Sequence, residues 1–138
     1  MSRTPVALIV FCSTFAFSAA PPSTKELLEK GKAAFTINCV ACHGPKGAGD
    51  GAAAVALNPK PRNYATDVFK NGDKVENVFK TLAEGIKDTA MVSFAHLPEQ
   101  DRWALAYYVL ELRAAGKPDA GVSVPDAGTK GKTAKPKK

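Results

Sequence analysis

Residues 38–51 read NCVACHGPKGAGDG and hold two cysteines, one of the chain's two histidines and several of its eleven glycines. Cys39, Cys42 and His43 lie close together, and a glycine-rich stretch follows them at once. Four kinds of site have such a composition: a redox-active dithiol, a zinc site, a phosphate-binding loop and an attachment point for a cofactor. The rest of the chain has to distinguish between them.

The N-terminus of the 138-residue chain has the pattern of a secretory signal peptide. Arg3 supplies a positive charge, residues 6–17 form a nearly unbroken apolar run, and Ser18 and Ala20 suit cleavage after Ala20. A membrane-spanning helix needs about 20 apolar residues, so a retained anchor is the alternative rather than the first choice. We predict a signal peptide over residues 1–20 and export to the periplasm, with association to the membrane left open.

Residues 114–138 form a separate, lysine-rich tail without aromatic residues. A segment of this composition buries too little apolar surface to offset its conformational entropy, so we predict that it is disordered. The tail carries six lysines and two aspartates, whereas residues 21–113 carry twelve basic and eleven acidic residues. Because the chain is exported, an anionic membrane surface or an acidic partner suits this tail better than nucleic acid does. A solvated tail without function is the alternative.

Residues 21–113 are expected to be one folded domain, and their patterning is helical. Ser23 and Glu26 can form a capping box at the start of a first helix, in which Gly31 lets a second backbone approach closely. No stretch alternates polar and apolar residues as a half-buried strand does. We therefore predict an all-α domain of three to four short helices.

The later helices have their own start and stop signals. A short helix is expected just after the glycines, and the next spans about residues 73–84. Asn71 or Asp73 would cap that helix, and Gly85 suits the left-handed residue after its end. The last helix begins at Pro98, which fits a first helical turn. Short helices enclose a thin core, and small domains of this kind often need a disulfide, a metal or a cofactor.

Three of the four kinds of site fit the motif poorly. A zinc site needs four ligands, the domain offers only distant His96 in addition, and adjacent Cys42 and His43 cannot readily face one ion. A thioredoxin-type dithiol begins a helix after a strand, whereas this pair ends a helix. The glycines match a dinucleotide-binding pattern but lack the preceding strand.

The fourth kind of site explains the spacing. Cys-x-x-Cys-His is the attachment signal for c-type haem. Two thioethers must reach the two vinyl groups of one porphyrin, so Cys39 and Cys42 lie about a helical turn apart, and His43 follows directly to bind iron. We predict one covalently attached haem c, with a plain disulfide or a free cysteine pair as the alternative.

The second axial ligand has three candidates. Met91 is the only methionine of the domain and lies in a loop before the last helix, and His96 follows it closely. Histidine with methionine is an established haem ligand pair, so we predict Met91 rather than His96. An open sixth position, which would imply gas binding or peroxidase chemistry, is the third option.

These segments together resemble the class I c-type cytochromes, which are small single-haem electron carriers. GKAAFTINCVACHG is similar to the family's first helix and haem motif, AEGIKDTAMVSF to its methionine loop, and LPEQDRWALAYYVLEL to its last helix. The resemblance covers about residues 23–112, and Val92 stands where the family commonly has a proline. It implies a cytochrome c fold with haem held by Cys39 and Cys42 and with His43 and Met91 as axial ligands.

The resemblance also implies particular contacts. The first and last helices would cross where Gly31 and Phe35 meet Tyr107 and Tyr108. A carbonyl within residues 57–61 would accept from the proximal imidazole, and the glycine loop would run close past the flat ring. Candidates for contact with the haem propionates are Arg62, Asn63, Tyr64 and Trp103.

We therefore expect a monomeric one-electron carrier rather than an enzyme, with iron cycling between the ferrous and ferric states. Redox partner proteins would dock transiently, aided by Lys46 and Lys60. Two alternatives remain open: a cytochrome c subunit of a larger oxidoreductase complex, and a haem sensor or peroxidase with a labile sixth ligand.

Overall fold

The structure is a computed structural model that describes residues 19–117. Its elements are α1 (Lys25–Asn38), α2 (Val40–His43), a 3₁₀ helix (Ala52–Ala56), α3 (Val75–Glu84) and α4 (Glu99–Ala115). This part of the chain contains no strand, which confirms the predicted all-α class. The predicted signal peptide and the predicted tail lie almost entirely outside the described residues.

The first helix is capped one residue later than the capping box predicted. Thr24, not Ser23, is the N-cap, and its hydroxyl accepts a hydrogen bond from the Leu27 N–H at 3.2 Å. The backbone of Thr24 is extended, which turns its side chain toward the unpaired N–H groups of the first turn. Two hydroxyl residues stand side by side here, so the sequence pattern alone could not choose between them.

The first and last helices cross at Gly31, as predicted. A Cβ at this position would overlap the carbonyl oxygen of Ala104 and lie 2.9 Å from the Cβ of Tyr108, so only glycine permits this approach. One turn further along α1, the fully buried Phe35 packs edge-on against the Tyr108 ring, with the ring centroids 5.4 Å apart. This crossing fixes how α1 carries the cysteine motif toward the centre of the domain.

The last helix begins after Pro98, which is its N-cap, and ends at Ala115. It therefore runs two residues beyond the predicted domain end at Arg113. Tyr107 was also expected at the helix crossing. Its hydroxyl instead donates to the carbonyl oxygen of Pro21 and fixes the chain before α1. Within residues 19–117, no helix combines the length and the apolar character that crossing a bilayer requires.

The third helix starts without either predicted cap. Lys74 occupies the N-cap position and makes no side-chain capping bond. The Asn71 side chain donates instead to the Thr81 hydroxyl at 2.9 Å, and the Asp73 carboxylate accepts from Arg113 Nε at 3.3 Å. Both side chains are thus engaged in contacts that a local capping pattern does not reveal.

The third and fourth helices pack through a pair of stacked aromatic rings. Phe79 and Trp103 lie nearly parallel, with their centroids 3.9 Å apart, and the Arg102 guanidinium lies 4.8 Å from the Phe79 centroid. The indole N–H of Trp103 donates to the Glu99 carboxylate at 3.2 Å. The Trp103 side chain is therefore part of the packing between α3 and α4.

Candidate functional site

The cysteine motif occupies the turn between α1 and α2. At Cys39 the backbone leaves helical geometry, with φ −122° and ψ −32°, and α2 follows at once. The N–H groups of Cys42 and His43 both donate to the Cys39 carbonyl oxygen, at 3.1 and 2.8 Å respectively. The two cysteines are therefore separated by one helical turn, which is the spacing that the motif predicted.

The glycine loop folds back on the motif rather than along a cavity. Gly47 and Gly49 have φ of 68° and 75°, a region that favours glycine. The Gly49 N–H donates to the His43 carbonyl at 2.9 Å, and a Cβ on Gly47 would overlap the Tyr64 ring. None of residues 44–51 lines the cavity described below. The close contacts of these glycines are to the backbone of the motif, to the Pro61 carbonyl and to the Tyr64 ring, and the expected approach to the cofactor ring stays a prediction.

The His43 imidazole is held from two sides by residues 62–64. Its Nδ1 lies 3.3 Å from the Arg62 carbonyl oxygen, and because a carbonyl can only accept, Nδ1 carries the proton. The Tyr64 ring stacks on the imidazole, with centroids 4.8 Å apart and planes 28° apart. Burial lowers the pKa of His43, so the ring is neutral and its Nε2 is free to bind a metal. The predicted acceptor lay within residues 57–61, one residue too early.

The four residues predicted to hold a haem, Cys39, Cys42, His43 and Met91, line one cavity of about 540 Å³. That volume lies within the roughly 300–1,000 Å³ that is common for ligand and cofactor pockets. Its walls are largely apolar and include Leu57, Phe69, Val78, Leu82, Ile86, Phe94 and Val109. His96 is not among the lining residues, and its ring lies beside that of Phe94 with the centroids 5.9 Å apart. The four residues predicted to hold the haem thus lie around one cavity, and the alternative ligand His96 does not line it.

One backbone hydrogen bond and one to a side-chain hydroxyl shape the loop that carries Met91. The Ile86 N–H donates to the Met91 carbonyl at 2.8 Å, and the Met91 N–H donates to the Thr89 hydroxyl at 3.1 Å. Gly85 ends α3 with φ 73°, as predicted, and a Cβ there would lie only 2.7 Å from the Met91 carbonyl oxygen. Val92, where the resemblance would have a proline, is largely exposed. The loop is therefore closed without a proline.

The family model for cytochrome c matches residues 28–113, which is more than half of the chain. The chain belongs to the cytochrome c family. The cytochrome c domain of this chain therefore binds haem c covalently, and the chemistry of such a domain is haem-based electron transfer. Members of the cytochrome c family are typically exported.

Among solved structures, this cytochrome c is similar to a chain of the reducing HAO-like protein complex of Kuenenia stuttgartiensis. The two share 31% sequence identity with a TM-score of 0.64. The match covers 69% of this chain and 47% of the other, so this chain spans about half of that chain's length. The comparison with curated proteins gives no match.

The donor set around the cavity of this cytochrome c fits haem c. The sulfurs of Cys39 and Cys42 are free, and burial, with a smaller effect from Cys42, raises the pKa of the Cys39 thiol to about 12. The Cys39 thiol is therefore protonated at neutral pH. No group of three or more His, Cys, Asp or Glu side chains within residues 19–117 is arranged to hold a bare metal ion. Two thiols, an imidazole with a free Nε2 and a thioether in an apolar cavity match the needs of a c-type haem.

Every charged residue that lines the cavity, within the described part of the chain, is basic. These residues are Lys60, Arg62 and Lys70. The two propionates of a haem are anionic, so basic groups at the cavity match their charge. The predicted domain as a whole is nearly neutral, so this basic cluster is a local feature.

Two of the four propionate candidates line the cavity and two do not. Arg62 and Tyr64 are lining residues, whereas Asn63 and Trp103 are not. The Asn63 side chain accepts from the Ala65 N–H at 2.9 Å and so closes a local turn. Its amide belongs to the loop's own hydrogen bonding, which the one-dimensional pattern could not distinguish from a ligand contact.

Arg113 links α4 to the cavity wall, a role that the sequence pattern does not predict. Its Nη1 donates to the carbonyl oxygens of Tyr64 and Asp67, at 2.6 and 2.9 Å, and its Nε pairs with Asp73 at 3.3 Å. The guanidinium also lies 4.4 Å from the centroid of Phe69. The only signal in the sequence was a basic residue near a helix C-terminus, which is commonplace.

Proposed function

We propose that this protein is an exported one-electron carrier whose single haem c is held by Cys39 and Cys42 through thioethers. In this proposal, His43 and Met91 are the two axial ligands of the iron. The observation that carries it is the convergence of two thiols, one imidazole and one thioether on a single apolar cavity. The exclusion of His96 from the lining favours Met91 over the rival ligand.

Bound haem supplies one-electron exchange between ferrous and ferric iron. The chain's own residues set the conditions for that exchange. Arg62 holds the His43 proton at Nδ1 through its carbonyl oxygen, which leaves the Nε2 lone pair available to bind the iron. The Met91 thioether and the apolar walls exclude water and favour the reduced state. Because His43 and Met91 would both bind the iron, the site would have no open position for a substrate.

Partner docking in this proposal is electrostatic and transient. Lys60 and Lys70 line the cavity, and Lys46 lies exposed on the glycine loop. A redox partner with an acidic docking face would be steered toward these lysines, and its association would weaken as salt screens the charges. We propose that the protein is a monomer in the periplasm. Its basic tail adds a contact to an anionic membrane surface or to an acidic partner.

The second candidate is a cytochrome c subunit of a larger oxidoreductase complex. The observation in its favour is the similarity to a chain of the reducing HAO-like protein complex. Size-exclusion chromatography of the protein purified from its native membrane and soluble fractions separates the two candidates. A stable high-mass assembly with an oxidoreductase would favour the subunit, whereas elution as a monomer would favour the carrier.

The axial ligand is tested with two variants of the holoprotein, Met91→Ala and His96→Ala. We expect Met91→Ala to abolish the weak long-wavelength absorption band that reports a methionine–iron bond, and to allow carbon monoxide to bind the reduced protein. The matched control, His96→Ala, should retain the band and resist carbon monoxide. Absence of the band from the unaltered oxidised protein would contradict the Met91 assignment, and ready carbon monoxide binding by the unaltered reduced protein would contradict the carrier proposal.

A further inference from the structure

We propose that Arg113 is a positioning residue for the His43 imidazole and acts through residues 62–67. The inference rests on the proposed role of His43 as an iron ligand. It assigns a function to a side chain that does not line the cavity and lies at the far end of the last helix.

Both groups that orient the imidazole come from one short segment. The Arg62 carbonyl accepts the Nδ1 proton of His43, and two residues later the Tyr64 ring stacks on the same imidazole. The backbone of Tyr64 is held on both sides: its N–H donates to the Gly47 carbonyl at 2.8 Å, and its carbonyl accepts from Arg113 at 2.6 Å. The position of the imidazole therefore depends on how firmly this segment is held.

Arg113 is shaped to hold that segment. One nitrogen, Nη1, satisfies two carbonyl oxygens, those of Tyr64 and Asp67, while the guanidinium plane covers Phe69, which also lines the cavity. The side chain is only 13% exposed, so its charged hydrogen bonds are little weakened by water. A lysine cannot reproduce a planar group that donates and stacks at once.

The consequence for the site is a change in the Nδ1–H hydrogen bond. If the segment loosens, the Arg62 carbonyl moves away from His43 and the Tyr64 ring no longer limits the tilt of the imidazole. The group that accepts from a ligating histidine tunes the bound metal, so the reduction potential should respond as well. Loss of the positive charge alone would also shift a potential, and the test has to separate the two effects.

The test measures solvent exchange of the His43 Nδ1 proton by NMR in the reduced holoprotein, together with the midpoint potential. Arg113→Lys keeps the charge and loses the planar fork, and Arg113→Gln loses both. We expect both variants to accelerate the exchange by roughly tenfold or more, as the loss of charged hydrogen bonds would do. We also expect the potential to shift in the same direction in both.

Arg102 provides a matched control on the same helix. Its Nε donates to the Leu97 carbonyl at 3.3 Å and its guanidinium lies over Phe79, so it makes the same kinds of contact away from the cavity. Arg102→Lys and Arg102→Gln should leave both the exchange rate and the potential unchanged.

Two results would overturn the role of Arg113. Wild-type exchange and potential in Arg113→Lys would mean that only charge matters, and equal acceleration in the Arg102 variants would mean that general destabilisation is the cause. Failure of the proposed function looks different. It would appear in the unaltered protein as His43 resonances without the large shifts that a bound haem iron causes.

Discussion

The helix crossing and the cavity wall are built in different ways. At the crossing, α1 and α4 meet as two regular surfaces, and Ala104, Leu105 and Ala106 beside it are fully buried. The wall formed by residues 57–72 contains no α-helix and is held by individual hydrogen bonds, among them those from Arg113. One half of the domain is therefore stabilised by close apolar packing, whereas the other half depends on a few polar contacts and on the group that fills the cavity.

The largest expected effect comes from removing the attachment of the cofactor. The double variant Cys39→Ala, Cys42→Ala should lose all covalently bound haem and about 4 kcal/mol or more of unfolding free energy, because a tightly bound ligand stabilises the native state by this order. Haem staining after denaturing electrophoresis and guanidinium unfolding measure the two effects. Each single variant is the control, since it leaves one thiol able to bond. Retention of covalent haem by the double variant would refute the assignment of these cysteines.

The crossing is tested with Gly31→Ala. The added Cβ has no room beside the Ala104 carbonyl, so we expect a loss of about 1–3 kcal/mol in the free energy of unfolding, as is usual for overpacking. The visible spectrum should not change, because the substitution is in the packed half. The exposed Ala33 on the same helix is the control, and Ala33→Val should lower stability by about 0.5 kcal/mol. A spectral change in Gly31→Ala would show that packing at the helix crossing affects the cavity, contrary to this expectation.

The smallest effect is expected at the start of α1. Thr24→Ala removes the capping hydroxyl and should reduce the free energy of unfolding by about 1 kcal/mol. Ser23→Ala, its neighbour, should remain within about 0.5 kcal/mol of the unaltered protein. Thermal or guanidinium unfolding of the two variants side by side measures the difference. A larger loss of unfolding free energy in Ser23→Ala than in Thr24→Ala would contradict the Thr24 cap and favour the capping box that begins at Ser23.

Most features of the packed half, where α1 and α4 cross, could be predicted from the sequence. Gly31 in an otherwise good helix predicted a close approach, and the Ala104 backbone and the Tyr108 Cβ do lie opposite it. Tyr107 was expected there too, but adjacent residues on a helix point in different directions, and it contacts Pro21 instead. The cysteine motif was readable because its chemistry depends on a spacing of one helical turn.

Fewer contacts of the cavity wall could be predicted from the sequence. The partner of His43 is a backbone carbonyl, and a carbonyl is the same at every position, so residues 57–61 and Arg62 could not be told apart by residue type. Asn71 and Asp73 are residue types that commonly cap helices. In the structure, however, the Asn71 side chain donates to Thr81, and the Asp73 carboxylate accepts from Arg113. Met91 was found because it is the only methionine of the domain, and its bond to iron stays a prediction.

The sequence alone was enough for the all-α class and the family and to predict the four residues that hold the haem, because those depend on local spacing and on which side chains the chain contains. Which side chains and carbonyls surround His43 depends on the tertiary fold. Tyr64 and Arg113 lie far apart in the chain, and no local pattern links them. They meet because α4 crosses α1 at Gly31 and runs on to the cavity wall, so its last turn delivers a guanidinium to the segment that orients His43.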